Sequence, residues 1–165
     1  MNLAQIWRDN IEEFGTYPVL IFEGKEYTNT YCDELSSQLA HTLIDLGVEP
    51  GDRVVVTMPN CPEVVIAFAG ILKCGAAVVP VMPLLQAKEI HYILKDCKPK
   101  AVLTTESLFA KVTEASRDLS STLKIFTLDQ SNSPHSLFNK LESKSKKAPD
   151  IAIDENDEAA LLYTA

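Results

Sequence analysis

Few residues of this chain combine a type and a spacing that could do chemistry, and the most suggestive is Thr164. It follows the apolar run Ala159-Ala160-Leu161-Leu162-Tyr163. A strand that ends in a small hydroxyl residue is a common lead-in to a phosphate-binding turn, where backbone N–H groups must approach an anion closely. Thr164 is therefore the candidate nucleotide-binding residue, at the edge of such a turn. The segment Gly70-Ile71-Leu72-Lys73-Cys74-Gly75 also has phosphate-loop spacing, but that loop needs Lys and then Ser or Thr after its second glycine. Ala76 and Ala77 stand there instead. The expectation is close helix packing at Gly70 and a helix end at Gly75.

The remaining candidates have plainer readings. Asn60, in Pro59-Asn60-Cys61-Pro62, falls at the carboxyl end of an expected parallel strand, where open α/β sheets place ligands. A cap for the following helix is the competing role. Asp52-Arg53 reads as a local turn with a solvent-facing ion pair. Glu89, His91 and Asp96 fall on or near one helix without the i, i+4 spacing of a metal pair, and read as a solvated face. Cys32, Cys61, Cys74 and Cys97 form no CxxC pair and read as reduced, mostly buried thiols. No Ser, Cys or Lys has a sequence neighbour that would activate it as a nucleophile. Neither a catalytic nor a metal-ligating residue is assigned.

The elements that must position these residues follow from periodicity. Residues 3–14 read as a helix with Leu3, Ile6, Trp7, Ile11 and Phe14 on one face. A hairpin follows, with arms at 19–22 and 26–30 around Gly24. The helix of about 31–46 carries Leu35, Leu39, Leu43 and Leu46 in a stripe, with Thr30 as N-cap and Asp33 in a shortened capping box. Gly47 and Pro50 end it. Residues 53–58 read as a strand whose β-branched run shows little alternation, as in a parallel strand covered on both faces. An apolar helix from Pro62 to about Cys74 follows. Strands at 77–81, 101–104, 124–128 and 159–163 then alternate with helices at about 87–97 and 107–116. Residues 129–150 form a polar connector holding one short helix around Leu137, Phe138 and Leu141. The pattern predicts an α/β fold with an open, mostly parallel sheet and helices on both faces.

Composition bounds the partners. The 165 residues suit roughly one domain, and 46% hydrophobic with 23% charged residues is ordinary for a globular protein. A net charge of −8 lacks the basic footprint of a nucleic-acid binder. The N-terminus has no basic head before an apolar run, and Val64–Leu72 is too short for a transmembrane segment. A cytoplasmic location is expected.

Taken together, these segments resemble the acyl-adenylate-forming ligases, the AMP-binding superfamily. YCDEL (31–35) resembles the family's early Tyr-x-x-Leu-type helix start. GDRVVVTMPNCPEVVIAFAGILKCGAAVVPVMP resembles its most recognisable N-terminal run, and KEIHYILKDCKPKAVLT the helix and strand that follow. DEAALLYTA looks like the entry to the family's phosphate loop, Tyr-Thr-Ser-Gly-Thr-Thr-Gly followed by Pro-Lys-Gly. The subgroup looks closest to fatty-acid–CoA ligases, judged by MPNCPEVVIAF and VPVMPLL.

The resemblance implies that residues 1–165 are the N-terminal portion of an AMP-binding domain. The rest of the phosphate loop, the remaining N-domain and the C-terminal domain would lie outside them. It implies ATP, Mg and CoA for the full-length parent, a carboxylic acid substrate, and an acyl-adenylate intermediate. The family's catalytic and magnesium-holding groups lie after the phosphate loop, and only Thr164 maps onto its nucleotide motif. The segment by itself is expected to be inactive and to hold none of these ligands tightly. Unpaired sheet edges would favour homo-oligomers. Two alternatives stay open: a non-catalytic α/β interaction module, or adenylation of aryl, short-chain or amino acids.

Overall fold

The computed structural model describes residues 2–130 and 133–164. Ala165, the last residue of the YTA motif, and Ser131-Asn132 of the connector lie outside the described residues. A 3-10 turn at Leu3–Gln5 leads into α1 (Ile6–Phe14). The antiparallel hairpin β1 (Pro18–Phe22) and β2 (Lys25–Thr28) follows. Glu23 and Gly24 connect its arms with φ of 50° and 78°, the left-handed pair that a two-residue hairpin turn requires.

Next come α2 (Asn29–Asp45), β3 (Arg53–Thr57), α3 (Pro62–Lys73), β4 (Ala77–Pro80), α4 (Ala87–Cys97) and β5 (Ala101–Thr104). The order then runs α5 (Glu106–Ala115), β6 (Lys124–Thr127) and α6 (Phe138–Leu141). The four strands from β3 onward form one parallel sheet in the order β4-β3-β5-β6. The expected α/β class, parallel sheet and two helix layers are all present. Among the described residues no helix is long and apolar enough to cross a membrane.

Strand alternation divides the core in two. Val54, Val56 and Leu103 face one cluster with Leu39, Leu43, Ile66 and Ile71 from α2 and α3. Val55, Val79 and Val102 face the other, with Ile90, Leu94 and Val112 from α4 and α5. The Leu35, Leu39, Leu43 stripe of α2 is buried, as its spacing predicts. At Gly70 the approach of α3 to α2 leaves no room: an added Cβ would lie 2.9 Å from Leu39 Cδ2 and 3.0 Å from the Ser36 carbonyl.

Five local expectations are corrected. The N-cap of α2 is Thr28, whose hydroxyl accepts from Tyr31 N at 3.1 Å; Thr30 lies inside the helix. The hairpin closes two residues earlier than expected because Asn29 is claimed by tertiary bonds. Its side chain accepts from Tyr17 N and donates to Gly15 O and Asn10 Oδ1. Asp33 joins no capping box: with Thr28 as N-cap it lies past the third helical position, and its carboxylate pairs with Lys73. The N-cap of α3 is Cys61, so Asn60 does not cap. Residues 159–163 do not form a full strand: one parallel bridge joins Ala160 to Val78, held by bonds from Val78 N to Ala159 O and from Leu161 N to Val78 O. A second parallel bridge, Thr127 to Ser136, covers part of the opposite edge. Each edge of the sheet thus carries a partial strand.

Candidate functional site

The carboxyl ends of the strands are the sheet edge where this class of fold places ligands. Parallel register puts Thr57, Thr104 and Thr127 side by side there, on the last residues of β3, β5 and β6. Thr104 Oγ1 donates to Thr57 O at 2.8 Å. The hydroxyls of Thr57 and Thr127 are buried with no hydrogen-bond partner among the described residues. Sequence reading passes over this row, because each threonine looks like an ordinary strand residue until register aligns them. Just beyond it, Thr105 caps α5 and its hydroxyl lies 3.0 Å from Ser107 Oγ. Glu106 N donates to the Asp129 carboxylate at 3.1 Å, so an acidic side chain already serves that helix N-terminus.

Asn60 is exposed at the same end of the sheet. With Met58, Val64, Phe68 and Met82 it lines a cavity of about 170 Å³. That is below the roughly 300–1,000 Å³ of pockets that enclose a small ligand. Thr164 is exposed, four positions past the Ala160 bridge, and is not in contact with a threonine of the row by any hydrogen bond among the described residues. The Lys111 ammonium donates to the carbonyls of Pro83 (2.9 Å) and Leu85 (3.2 Å), tethering the loop after β4. Hydroxyls, one amide and a shallow apolar hollow can border a nucleotide. Among the described residues no group of three His, Cys, Asp or Glu is arranged to hold a metal. The arrangement suits one wall of a nucleotide site.

The most complete polar constellation lies away from that edge. Lys73, on the last turn of α3, is 3% exposed. Its ammonium donates to Asp33 Oδ1 at 2.5 Å, to Asp33 O and Ser36 Oγ at 2.8 Å, and to Ser37 Oγ at 3.0 Å. Burial pulls the Lys73 ammonium below the usual lysine range, and the bond and charge of Asp33 pull the other way. A buried lysine is tolerated only when partnered in this way. The signal that could have found it was a lysine near the end of an otherwise apolar helix.

The other candidates have structural roles. Asp52 accepts from Glu49 N at 2.9 Å within its turn, while Arg53 pairs with Glu158 at 3.3 Å instead of with Asp52. The helical acids and His91 are not simply solvated. Glu89 closes a capping box with Gln86, His91 Nδ1 lies 2.9 Å from Ala115 O, and Asp96 accepts from the Tyr163 hydroxyl. All four cysteines are free. Burial raises every thiol: Cys61 and Cys97 to about 11, Cys74 to about 12, and Cys32 above its usual value. Such thiols stay protonated and unreactive at neutral pH.

An open parallel sheet with helices on both faces defines a doubly covered α/β domain. The profile of the family described as "AMP-binding enzyme" matches residues 7–165, and the chain belongs to that family. It is 28% identical over 177 aligned positions to a crotonobetaine/carnitine–CoA ligase of Salmonella paratyphi A, covering 99% of this chain and 34% of that protein. It is 31% identical over 115 positions to a linear gramicidin synthase of Brevibacillus parabrevis, covering 70% of this chain and 2% of that protein. A solved structure of a Mycobacterium tuberculosis fatty acyl CoA synthetase superposes with a TM-score of 0.84 at 26% identity, covering 99% of this chain and 32% of that one. The chain thus spans about a third of the length of the ligases it matches.

Proposed function

We propose that this chain is the N-terminal part of the AMP-binding domain of an ATP-dependent, cytoplasmic carboxylic acid–CoA ligase, with a fatty acid as its substrate. In this reading the acid's carboxylate attacks the α-phosphate of ATP, expelling pyrophosphate, and the CoA thiol then displaces AMP from the acyl-adenylate. Magnesium, held by groups after the phosphate loop, would supply electrostatic stabilisation of the phosphoryl transition state. The residues of this chain build the scaffold. Thr164 borders the phosphate loop, and residues 129–150 act as a connector that returns the chain to the β4 edge.

The observation that carries the reading is the Ala160 bridge. It sets the segment resembling the phosphate-loop entry parallel to β4, in the direction of the carboxyl edge. The 165 residues by themselves bind ATP weakly or not at all and do not turn over. Isothermal titration with ATP and magnesium tests this, and a saturable micromolar isotherm would defeat it. In-frame codons for Ser-Gly-Thr-Thr-Gly after codon 165 support the ligase, whereas a stop codon there favours a non-catalytic interaction module. A short-chain acid in place of the fatty acid is the second reading, favoured by the likeness to a crotonobetaine/carnitine–CoA ligase. Acid-dependent ATP–pyrophosphate exchange by the polypeptide that carries the loop, run with acetate, butyrate and palmitate, separates the two.

A further inference from the structure

The end of the sheet opposite the threonine row holds a larger cleft than the carboxyl edge does. It lies between the last turn of α4, the entry to β5 and the loop 118–123 that leads into β6, and its volume is about 510 Å³. That falls within the range of pockets that enclose small ligands. Its floor is apolar. Leu94 is 1% exposed, and Leu119 and Leu123 pack as partly buried neighbours of the second core cluster.

Its rim is basic. Lys95 and Lys98 are exposed and Lys100 is half-buried. The opposing carboxylates are those of Asp52 and Asp118. Asp52 is already engaged by Glu49 N at 2.9 Å and stands 4.0 Å from Lys100 Nζ. Three ammonium groups against two carboxylates make a locally positive rim on a chain of net charge −8. Complementing the α4 dipole accounts for lysines near the helix end. It does not account for an apolar hollow beneath them.

We propose that this cleft is a binding site for a small amphipathic anion, its hydrocarbon body on Leu94, Leu119 and Leu123 and its head group among Lys95, Lys98 and Lys100. Lysine stems suit this arrangement, since they cover apolar surface while presenting their charge at its border. The site is remote from the strand ends assigned to the nucleotide and stands independently of the ligase reading.

Amide chemical shifts of the 165-residue protein, titrated with sodium octanoate below its micellar range, test the proposal. Acetate and octyltrimethylammonium serve as comparators. Octanoate is expected to give saturable shifts at Leu94, Lys98, Leu119 and Leu123. Acetate, lacking the apolar body, and octyltrimethylammonium, carrying the wrong charge, should give none that saturate there. Lys95→Glu combined with Lys98→Asn, an amide that tolerates the left-handed backbone at 98, should weaken octanoate binding at least about tenfold. The ligand-free melting temperature of that variant should fall by no more than a few degrees, because both lysines are exposed and only the α4 dipole loses a favourable charge. Asp118→Asn should tighten binding. Equal binding of the cation, an unaffected double variant, or shifts confined to the exposed apolar residues Met82, Leu84 and Leu162 would overturn the proposal.

Discussion

Two groups of buried polar side chains flank the central strand β3, one toward each helix layer. On the side of α2 and α3, Lys73 is enclosed by the Asp33 carboxylate and carbonyl and by the hydroxyls of Ser36 and Ser37. On the other face, two positions along from Val55, Thr57 shares a row with Thr104 and Thr127, and two of those three hydroxyls lack partners among the described residues. The difference follows from what each group costs when left alone. An isolated buried charge is far more costly than a hydroxyl, whose unmet hydrogen bond costs about 1–3 kcal/mol. A fold can carry two orphaned hydroxyls at the carboxyl edge of its sheet. It cannot carry an unpartnered ammonium between two helices.

Breaking the completed cluster should have the largest effect. Lys73→Met leaves the Asp33 carboxylate and both serine hydroxyls without their donor. Loss of one partner of a buried pair costs about 3–5 kcal/mol, which lowers the melting temperature on the order of 10 °C for a chain of this size. Adding Asp33→Asn should recover part of that loss in a double-mutant cycle. Additive effects would show that the two residues do not act as a pair.

Gly70→Ala probes the helix approach that makes the cluster possible. Overpacking against Leu39 and the Ser36 carbonyl costs about 1–3 kcal/mol, offset by about 1 kcal/mol of helix propensity. Urea unfolding should therefore show a net loss of up to about 2 kcal/mol. Stabilisation would mean that α3 can move away from α2 freely.

Thr57→Val should behave in the opposite sense to Lys73→Met. It removes an unsatisfied buried hydroxyl and should be neutral or stabilising by up to about 1 kcal/mol. A clear loss in thermal denaturation would mean that the hydroxyl has a partner, such as an ordered water.

The smallest effect concerns the thiols, one in each core cluster: Cys74 beside α2 and α3, Cys97 beside α4 and α5. Both stay protonated in the fold to higher pH than in the unfolded chain, with folded values of about 12 and 11. Between pH 9 and those values the unfolded chain binds fewer protons, so stability falls as pH rises. The alkaline decline in melting temperature should be shallower in Cys74→Ala than in the unaltered protein, and Cys97→Ala should flatten it less.

Periodicity carried much of the architecture. The β-branched run at 54–57, the leucine stripe of α2 and the glycine and proline stops were legible because each is a local pattern. The short-range errors came where tertiary bonds outbid local ones. Thr28 and Thr30 are equally good caps by residue type, and Asn29 chose between them by bonding to Tyr17, Gly15 and Asn10. Asp33 would hold a capping-box position only with Thr30 as the cap; with Thr28 there instead it lies two residues further into the helix, where its carboxylate pairs with Lys73, 40 residues away. Residues 159–163 have strand composition, yet hydrogen bonds join them to β4 only around Ala160.

Residue order alone was enough for the fold class, the family likeness and the choice of Thr164 as the candidate that borders a nucleotide motif. Those depend on residue order over short stretches. Folding in three dimensions was needed to align Thr57, Thr104 and Thr127 in a row, to enclose Lys73, and to open a lysine-rimmed cleft at the entry to β5. Each of these depends on strand register or helix approach, which bring together residues separated by tens of positions. No local pattern records such a meeting.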